Sequence, residues 1–264
     1  MPELPSFTIV TPCLNAAATL PVALESVRSQ AYPRVEHVVV DGGSVDGTRA
    51  LLEGLNGVRY VSEPDRGLSD AVNKGIRMAT GEVIGWLNAD DAYEPGALHA
   101  VGRALAERSD AAWATGRCRI VDGRGAEIRK PVTAYKNLFL RHWSFPLYLT
   151  HNFVSSPSTF VRRAALDDVG LLSESYRYSM DYDLWLRLAR CHRPLVLDRD
   201  LAAFRMEAGS LSMTGFERQF EEHAENARVH GAGHPLPVAV NIVLSRLIVL
   251  AYRGMRYARR PRAT

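Results

Sequence analysis

Apolar and polar positions follow two distinct rhythms along the first half of the chain. Four short apolar runs have the length and composition of buried strands: Phe7–Cys13, Val35–Gly42, Val58–Glu63 and Val83–Asn88. After each run, apolar residues recur at helical spacing, which predicts helices at Leu20–Gln30, Ser44–Leu55, Leu68–Gly81 and Pro95–Arg108. Buried strands that alternate with amphipathic helices indicate an α/β fold with a mostly parallel central sheet flanked by helices.

The second half is less regular. Residues 111–128 alternate around a turn at Asp122–Gly125, which predicts a hairpin. Residues 137–163 are rich in aromatic side chains without a clear period, so we expect a loop there. Met180–Cys191 has strong helical periodicity, and its first turn carries Asp181 and Asp183, which favour a helix N-terminus.

Polar side chains cluster where each predicted strand ends. The clusters are Thr11–Asn15, Asp41–Asp46, Glu63–Asp65 and Asn88–Asp91. Parallel strands place their carboxyl ends at one edge of a sheet, where α/β proteins bind ligands, so we expect the clusters to converge. Turn chemistry explains the glycines at 42, 43 and 47, but it explains acids after three successive strands less well. We therefore interpret this edge as a functional site.

Charge is distributed unevenly along the chain. The net formal charge is +3, yet six arginines and no acid lie between Pro235 and Thr264. The rest of the chain is therefore slightly acidic, which argues against a nucleic-acid partner. The three cysteines show neither metal-ligand nor disulfide spacing, and the N-terminus lacks the pattern of a secretory signal. These features predict a cytoplasmic protein with a basic C-terminal segment.

Common nucleotide-binding motifs do not occur in the sequence. It contains neither the P-loop pattern nor G-x-G-x-x-G after the first strand. The string "TPCLNAA" also differs from the Gly- and Arg-rich loop with which sugar-nucleotide pyrophosphorylases begin. The histidines lack zinc-ligand spacing.

Five strings occur in the order seen in family 2 inverting glycosyltransferases of the GT-A fold, which the chain therefore resembles. They are "TPCLNAA", "VVVDGGSVDGT", "SEPDRGLSDAVNKGI", "GWLNADD" and "SMDYDLWLRLA". The resemblance extends over residues 6–212 and implies a GT-A-like single domain at 1–212, followed by C-terminal helices at 213–264. It also implies a nucleotide diphosphate sugar donor, with UDP favoured, and a divalent cation, Mn²⁺ or Mg²⁺. The acceptor would be a saccharide or a lipid-linked sugar.

A nucleotide sugar must be held by its base and ribose. Polar residues that end the first three strands are candidates for these contacts: Thr11, Asn15, Asp41 and Glu63. The resemblance makes Asp41 the first candidate for the base. Three more candidates share one face of the third helix, at i, i+3 and i+4: Asp70, Asn73 and Lys74. The resemblance places this helix beside the nucleotide, although a solvated helix lysine explains Lys74 equally well.

The string "LNADD" matches the D-x-D position of the family. By resemblance, Asn88, Ala89 and Asp90 contact the donor. Asp90, and after it Asp91, would hold a cation that bridges diphosphate oxygens. Asn88 stands where many relatives carry a first aspartate, which removes one negative charge. We therefore predict weak cation affinity until the donor binds.

The acceptor must lose a proton, and the two acids of "SMDYD" diverge by roughly 200° on a helix, so one of them can face the site. The resemblance implies that Asp181 is the general base, which leaves Asp183 as a helix N-terminal acid. A second capping acid is the alternative for Asp181. Arg205 is a candidate diphosphate partner or an ordinary ion pair. Glu207 occupies the position of a histidine found in many relatives.

The C-terminal segment predicts an amphipathic helix that ends in arginines. Its polar side carries Asn241, Ser245, Tyr252, Arg253 and Arg256. This pattern indicates a helix that lies peripherally on the cytoplasmic face of an anionic membrane. A helix packed on its own domain, or a dimer contact, is the alternative.

The sequence thus predicts an inverting, metal-dependent glycosyltransferase of cell-envelope polysaccharide or glycolipid biosynthesis. Because Asn88 and Glu207 depart from the family, a catalytically inactive nucleotide-sugar-binding relative, tethered to a membrane or partner, is the alternative. A nucleotidyltransferase on a similar fold is a weaker third hypothesis. Donor sugar and acceptor depend on pocket shape across several loops, so they are not predicted.

Overall fold

The computed structural model describes residues 3–206 and 215–258. In these residues eight strands form one sheet: β1 (Phe7–Cys13), β2 (Val35–Asp41), β3 (Arg59–Ser62), β4 (Val83–Trp86), β5 (Ala92–Tyr93), β6 (Trp113–Val121), β7 (Thr159–Arg162) and β8 (Leu195–Arg205). Their order in the sheet is β3-β2-β1-β4-β7-β6-β8-β5. The predicted α/β fold is confirmed.

The first half of the chain forms the parallel part of the sheet. Strands β3, β2, β1 and β4 all run parallel, and the register pairs Cys13 with Asp41 and Asp41 with Ser62. The carboxyl ends of these strands therefore lie side by side. Beyond β4, the antiparallel strand β7 joins β4 to β6, and β8 pairs parallel with β6 and antiparallel with β5. The sheet is thus mixed, with parallel pairings in the majority.

Ten α-helices lie within the described residues. They are α1 (Leu20–Arg28), α2 (Thr48–Glu53), α3 (Leu68–Met78), α4 (Ala97–Glu107), α5 (Lys130–Arg141), α6 (Phe145–Thr150), α7 (Arg163–Val169), α8 (Met180–Cys191), α9 (Phe216–His230) and α10 (Pro235–Ala258). Alternate residues of β1 enter opposite cores: Phe7 and Ile9 pack with residues of α1 and α4, and Val10 packs with residues of α3 and α8. Helices therefore cover both faces of the sheet.

Of two predictions for the second half, the hairpin is confirmed in a shortened form and the loop is wrong. The turn at Asp122–Gly125 forms, and Val121 bridges Glu127, but the long partner of β6 is β8 rather than a second hairpin strand. Residues 137–163 are not a loop, because they contain the end of α5, α6, a 3₁₀ turn at Ser156–Ser158 and all of β7. Aromatic side chains from this segment fill the core beside α8. Short helices and strands that are buried on several sides show no clear hydrophobic periodicity in the sequence.

The helices α9 and α10 pack directly on the sheet domain. α9 contacts α8, and α10 contacts α6 and α9. The buried carboxylate of Glu222 on α9 accepts hydrogen bonds from the backbone N–H groups of Tyr178 (2.8 Å) and Ser179 (3.0 Å). Glu222 thereby fixes the segment that leads into α8. The division of the chain at residues 212 and 213 stays a prediction.

Candidate active site

The carboxyl end of β2 holds a fully buried carboxylate, that of Asp41. It accepts a hydrogen bond from the Ser62 hydroxyl (2.6 Å) and from the backbone N–H of Ser44 (3.2 Å), and the Ser44 hydroxyl also donates to it. These bonds tie the loop after β2 to the end of β3. Asp41 therefore shapes the loops at the sheet edge, and its contact with a base stays a prediction.

Asn15 joins the loops that follow β1 and β2. Its side-chain oxygen accepts a hydrogen bond from the N–H of Val45 (2.9 Å), and its own N–H donates to Ser44 Oγ (2.7 Å). Its φ of 51° lies in the left-handed region, which asparagine tolerates. Asn15 lies at the exposed edge, as expected. Thr11 does not, because its side chain is fully buried with the hydroxyl 2.9 Å from His37 Nε2.

Asp70 and Lys74 share one side of α3, as predicted. Lys74 Nζ lies 2.9 Å from Glu63 Oε1 and 3.7 Å from Asp70 Oδ2, so it connects α3 to the end of β3. The Arg66 guanidinium, 3.0 Å from Asp70 Oδ1, lowers the pKa of Asp70 to about 2. Asp70, Lys74 and Glu63 thus form one charged network beside the sheet edge.

Asn73 is next to Lys74 on α3, but its side chain bonds to the segment after α7. Its amide nitrogen donates to the carbonyl of Leu172 (2.9 Å), and its amide oxygen accepts from the N–H of Leu172 (3.0 Å). The side chain is buried by this pairing, which joins α3 to the segment after α7. The expectation of a nucleotide-facing Asn73 is therefore corrected, because the main chain of Leu172 uses both ends of its amide.

Asp65 lies at the same edge, although the sequence interpretation did not select it as a site residue. Its Oδ1 accepts a hydrogen bond from the N–H of Gly67 (2.8 Å). Its Oδ2 packs on Gly42 so closely that a Cβ at position 42 would lie 2.4 Å away. A side chain at position 42 would therefore displace the Asp65 carboxylate. The signal lay in the strings "DGG" and "EPD", which the fold brings together.

Asn88 and Asp91 bond to each other directly after β4. The Asn88 amide donates to Asp91 Oδ2 (3.1 Å), and its oxygen accepts from the Trp86 indole N–H (2.8 Å). Asp91 is fully buried, and its Oδ1 accepts from the backbone N–H of Arg205 (3.0 Å). Burial, followed by the charge of Asp90, raises the pKa of Asp91 well above its ordinary value. Asp90 itself is half-buried.

Arg205 at the end of β8 lies against the same loop. Its Nε donates to the carbonyl of Asp90 (3.1 Å), and its Nη1 donates to the carbonyl of Gly123 (2.6 Å). Ala89 is buried in this loop. The structure thus brings Arg205 and the stretch from Asn88 to Asp91 together across more than a hundred residues. Glu207 lies outside the described residues.

Asp90 and Asp91 are the oxygen donors that this loop offers to a divalent cation. Repulsion between the two carboxylates contributes to the raised pKa of Asp91. A bound cation would relieve this repulsion. In the described parts of the chain, however, no three His, Cys, Asp or Glu side chains are grouped to hold a metal ion. The loop fits a cation that takes further oxygen ligands from a bound diphosphate. Asp90 is better placed than Asp91, because Asp90 is half-buried whereas Asp91 is fully buried.

Asp181 lies in the first turn of α8 and is half-buried. Its Oδ2 accepts hydrogen bonds from the Ser156 hydroxyl (2.9 Å) and the Asn152 amide (3.4 Å), and its Oδ1 accepts from the N–H of Tyr182 (2.7 Å). Burial raises the pKa of the Asp181 carboxyl in spite of these bonds. A partly accessible carboxylate with a raised pKa is suited to accept a proton.

Lys136 on α5 is a positive charge in the surroundings of Asp181. Its Nζ donates to Ser155 Oγ (3.0 Å), and its positive charge acts to lower the pKa of Asp181. The thiol of Cys118 on β6 is within electrostatic reach of both Lys136 and Asp91, although burial is the main reason that its pKa rises to about 12. The 3₁₀ turn that carries Ser156 contacts β5, which begins directly after Asp91, so this turn joins the surroundings of Asp181 to those of the acidic loop. Sequence reasoning missed Ser156 because it interpreted the segment from 137 to 163 as a loop, and it did not select Lys136, which directly precedes that segment.

Asp183 has a structural role one half-turn from Asp181. Its carboxylate is buried and binds Arg187 Nη2 (2.7 Å) and His230 Nε2 (2.8 Å). Burial alone would raise the pKa of Asp183, but the hydrogen bond from His230 and the Arg187 charge lower it. Asp183 thus joins α8 to α9. Of the two acids, Asp181 is the more exposed, which agrees with the predicted divergence.

Proteins with similar sequences are described as glycosyltransferases. The family described as "Glycosyl transferase family 2" matches residues 8–170. A glycosyltransferase of Rickettsia prowazekii, described as uncharacterized, is 26% identical over 227 residues, which cover 84% of this chain and 70% of that protein. A "PGL/p-HBAD biosynthesis glycosyltransferase" of Mycobacterium tuberculosis is 29% identical over 259 residues, covering 94% of this chain and 91% of that protein.

Solved structures with a similar fold include two nucleotide complexes. The mannosyltransferase PcManGT from Pyrobaculum calidifontis, in complex with GDP-Man and Mn²⁺, has a TM-score of 0.65 at 18% identity, covering 96% of this chain and 77% of that one. S. aureus TarS 1–349 in complex with UDP has a TM-score of 0.62 at 20% identity, covering 85% of this chain and 65% of that one. At these identities the similarity concerns the fold.

Fold and sheet-edge geometry together define a glycosyltransferase of the GT-A type. The chain belongs to glycosyl transferase family 2.

Proposed function

We propose that this glycosyltransferase transfers a sugar, with inversion, from a nucleotide diphosphate sugar to an acceptor hydroxyl, with Asp181 as the general base. The observation that carries the proposal is the setting of Asp181. It is half-buried, its pKa is raised by burial, and it accepts a hydrogen bond from Ser156, whose 3₁₀ turn contacts the strand that follows Asp91. Asp41, by contrast, is fully buried and bonded to loop residues.

The acceptor hydroxyl would attack the anomeric carbon of the donor while its proton moves to the Asp181 carboxylate. The bond from the anomeric carbon to the diphosphate oxygen breaks in the same step, and the electron pair leaves with the nucleotide. The hydrogen bonds from Ser156 and Asn152 to Oδ2 hold the carboxylate in one orientation. A raised pKa makes Asp181 a better proton acceptor than an ordinary aspartate near neutral pH.

The departing nucleotide needs positive charge around its phosphates. A divalent cation held by Asp90, with Asp91 as the secondary ligand, would supply Lewis-acid stabilisation of that charge when bound. Arg205 lies against the same loop and adds a permanent guanidinium charge. Lys74, close to Glu63 at the end of β3, is the corresponding cation on the nucleotide side.

UDP is the favoured nucleotide, and an envelope polysaccharide or glycolipid is the favoured product. Support comes from TarS, which is described in complex with UDP and with UDP-GlcNAc, and from the mycobacterial PGL/p-HBAD relative. PcManGT is described with GDP-Man and Mn²⁺, so GDP sugars belong in the same test. The Mn²⁺ in that complex supports the proposal that a divalent cation binds beside the donor diphosphate.

The test is a panel of UDP and GDP sugars, each measured by thermal shift and by release of nucleotide with Mn²⁺, with Mg²⁺ and with EDTA. We expect one donor to raise the melting temperature by mass action, and EDTA to abolish its turnover. Proton NMR of the product should show the anomeric configuration opposite to that of the donor. A donor that binds without turnover under any condition would favour a binding protein, and no binding at all would refute the proposal.

A further inference from the structure

The long helix α10 turns its polar side toward the protein. Asn241 and Ser245 are buried, although both are polar. Asn241 Nδ2 donates to the carbonyl of Leu149 (2.9 Å) and lies 3.3 Å from Tyr182 Oη, and Ser245 Oγ donates to Asn241 Oδ1 (3.2 Å). Two polar residues that the sequence placed on one side of this helix thus form its contact with the sheet domain. The opposite side faces outward.

That outward side is an apolar stripe. Its five residues recur at intervals of four, three, four and three and are between 36% and 73% exposed: Leu236, Val240, Val243, Leu247 and Leu250. This spacing aligns side chains along one line of a helix, about 21 Å long at 1.5 Å per residue. Isolated apolar residues are common on protein surfaces, but a continuous row of this length marks an interaction site.

Positive charge borders the apolar stripe. Arg246 and Arg253 are exposed and seven residues apart, so they lie on the same flank of α10. Arg253 also contacts Glu217 on α9. The segment from 235 to 264 carries six arginines and no acid. An apolar row with a basic flank is complementary to the acyl and phosphate layers of an anionic bilayer.

The arginines of α10 also make a second copy of the chain a poor partner for the apolar stripe. In a two-helix seam, the positions that flank the apolar row carry charges of opposite sign across the interface. Here both copies would present arginines and no acid from α10.

The segment Pro235–Gly254 is also long and apolar enough to cross a membrane. The bonds of Asn241 to Leu149 and Tyr182, however, hold α10 alongside the sheet domain. We propose that the apolar stripe of α10 binds the surface of an anionic lipid bilayer, with Arg246 and Arg253 at the level of the lipid phosphates. Tyr182 follows Asp181 directly, so α10 would lie between the bilayer and the helix that carries the candidate base. That last consequence rests on the proposed function and fits an acceptor carried by a lipid.

The experiment is co-sedimentation of the full chain with vesicles of phosphatidylcholine alone and of phosphatidylcholine mixed equally with phosphatidylglycerol. The stripe variant is Leu247→Glu, at a side chain that is 56% exposed, and the matched control is Val229→Glu on α9, at 57% exposed. Thermal melts confirm that both variants fold. Binding is read without any sugar donor, so its failure is distinct from a failure of the proposed function.

We expect wild type to bind the anionic vesicles, and added salt to weaken that binding. Leu247→Glu should weaken it at least ~10-fold, and Val229→Glu less than ~2-fold. Equal loss in both variants, or no binding by wild type, overturns the proposal. A wild-type dimer that Leu247→Glu converts to a monomer, without vesicle binding, would assign the stripe to a second copy instead.

Discussion

Replacing Asp183 with asparagine should destabilise the protein without removing the candidate base. Asp183 is buried and bonded to Arg187 and His230, so Asp183→Asn leaves the Arg187 charge without its carboxylate partner. Removing one member of a buried ion pair costs about 3 kcal/mol or more. For a chain of this size we expect a fall in melting temperature of roughly 6–12 °C.

Asp181→Asn, two residues earlier, is the matched control for that measurement. Burial raises the pKa of Asp181, so its charged form is disfavoured in the folded protein, and the neutral amide should leave the melting temperature unchanged or higher. The assay is differential scanning calorimetry of both variants at neutral pH. A melting temperature of Asp183→Asn within about 2 °C of wild type would refute the structural role of this ion pair.

The stabilisation that Asp183 provides should decrease at acidic pH. The folded-state pKa of Asp183 is lowered, so its stabilising contribution is present above the unfolded pKa of about 3.9 and is lost as the pH falls through the folded pKa. The stability difference between wild type and Asp183→Asn should therefore shrink on acidification below that value. A difference that grows on acidification would contradict the assignment.

Three further predictions concern residues around the site. Lys136→Met should raise the pKa of Asp181 and move the acid limb of the kcat/KM profile to higher pH, whereas Lys136→Arg should not; identical profiles would contradict this. Glu222→Gln should weaken the hydrogen bonds that fix the start of α8, with a loss of about 1–3 kcal/mol in denaturant titration and a lower kcat; an unchanged midpoint would count against it. Gly75→Ala should destabilise the protein by about 1–2 kcal/mol, because its Cβ would lie 2.2 Å from Val10 Cγ1; a gain in stability would show that β1 can yield.

The first half of the fold could be predicted because its central strands β1 and β4 are buried on both faces and its helices on one. Apolar runs such as that of β1 and the 3.6-residue period of α3 survive as patterns in the sequence. The segment from 137 to 163 could not be assigned, because α6 and the 3₁₀ turn are short and bury aromatic residues on several sides. Ser156, which orients Asp181, lies in that segment and was therefore not predicted as a site residue.

At the site, the sequence located acids but not the groups that bind them. Strand order alone brings Asn15, Asp41 and Asn88 to one edge, so their neighbourhood was predictable. Whether a polar side chain faces solvent or a main-chain partner depends on tertiary contacts far away in sequence. Asn73 shows this, because its amide is used by Leu172, and α10 shows it on a larger scale, because its polar side faces inward.

The transfer rate of Asp181→Asn, measured once a donor and acceptor are known, shows whether Asp181 removes the proton from the acceptor. We expect kcat to fall by about 10²-fold or more, with the Kd of the nucleotide, measured by calorimetry, within a few-fold of wild type. Transfer at a rate close to that of wild type would contradict the account.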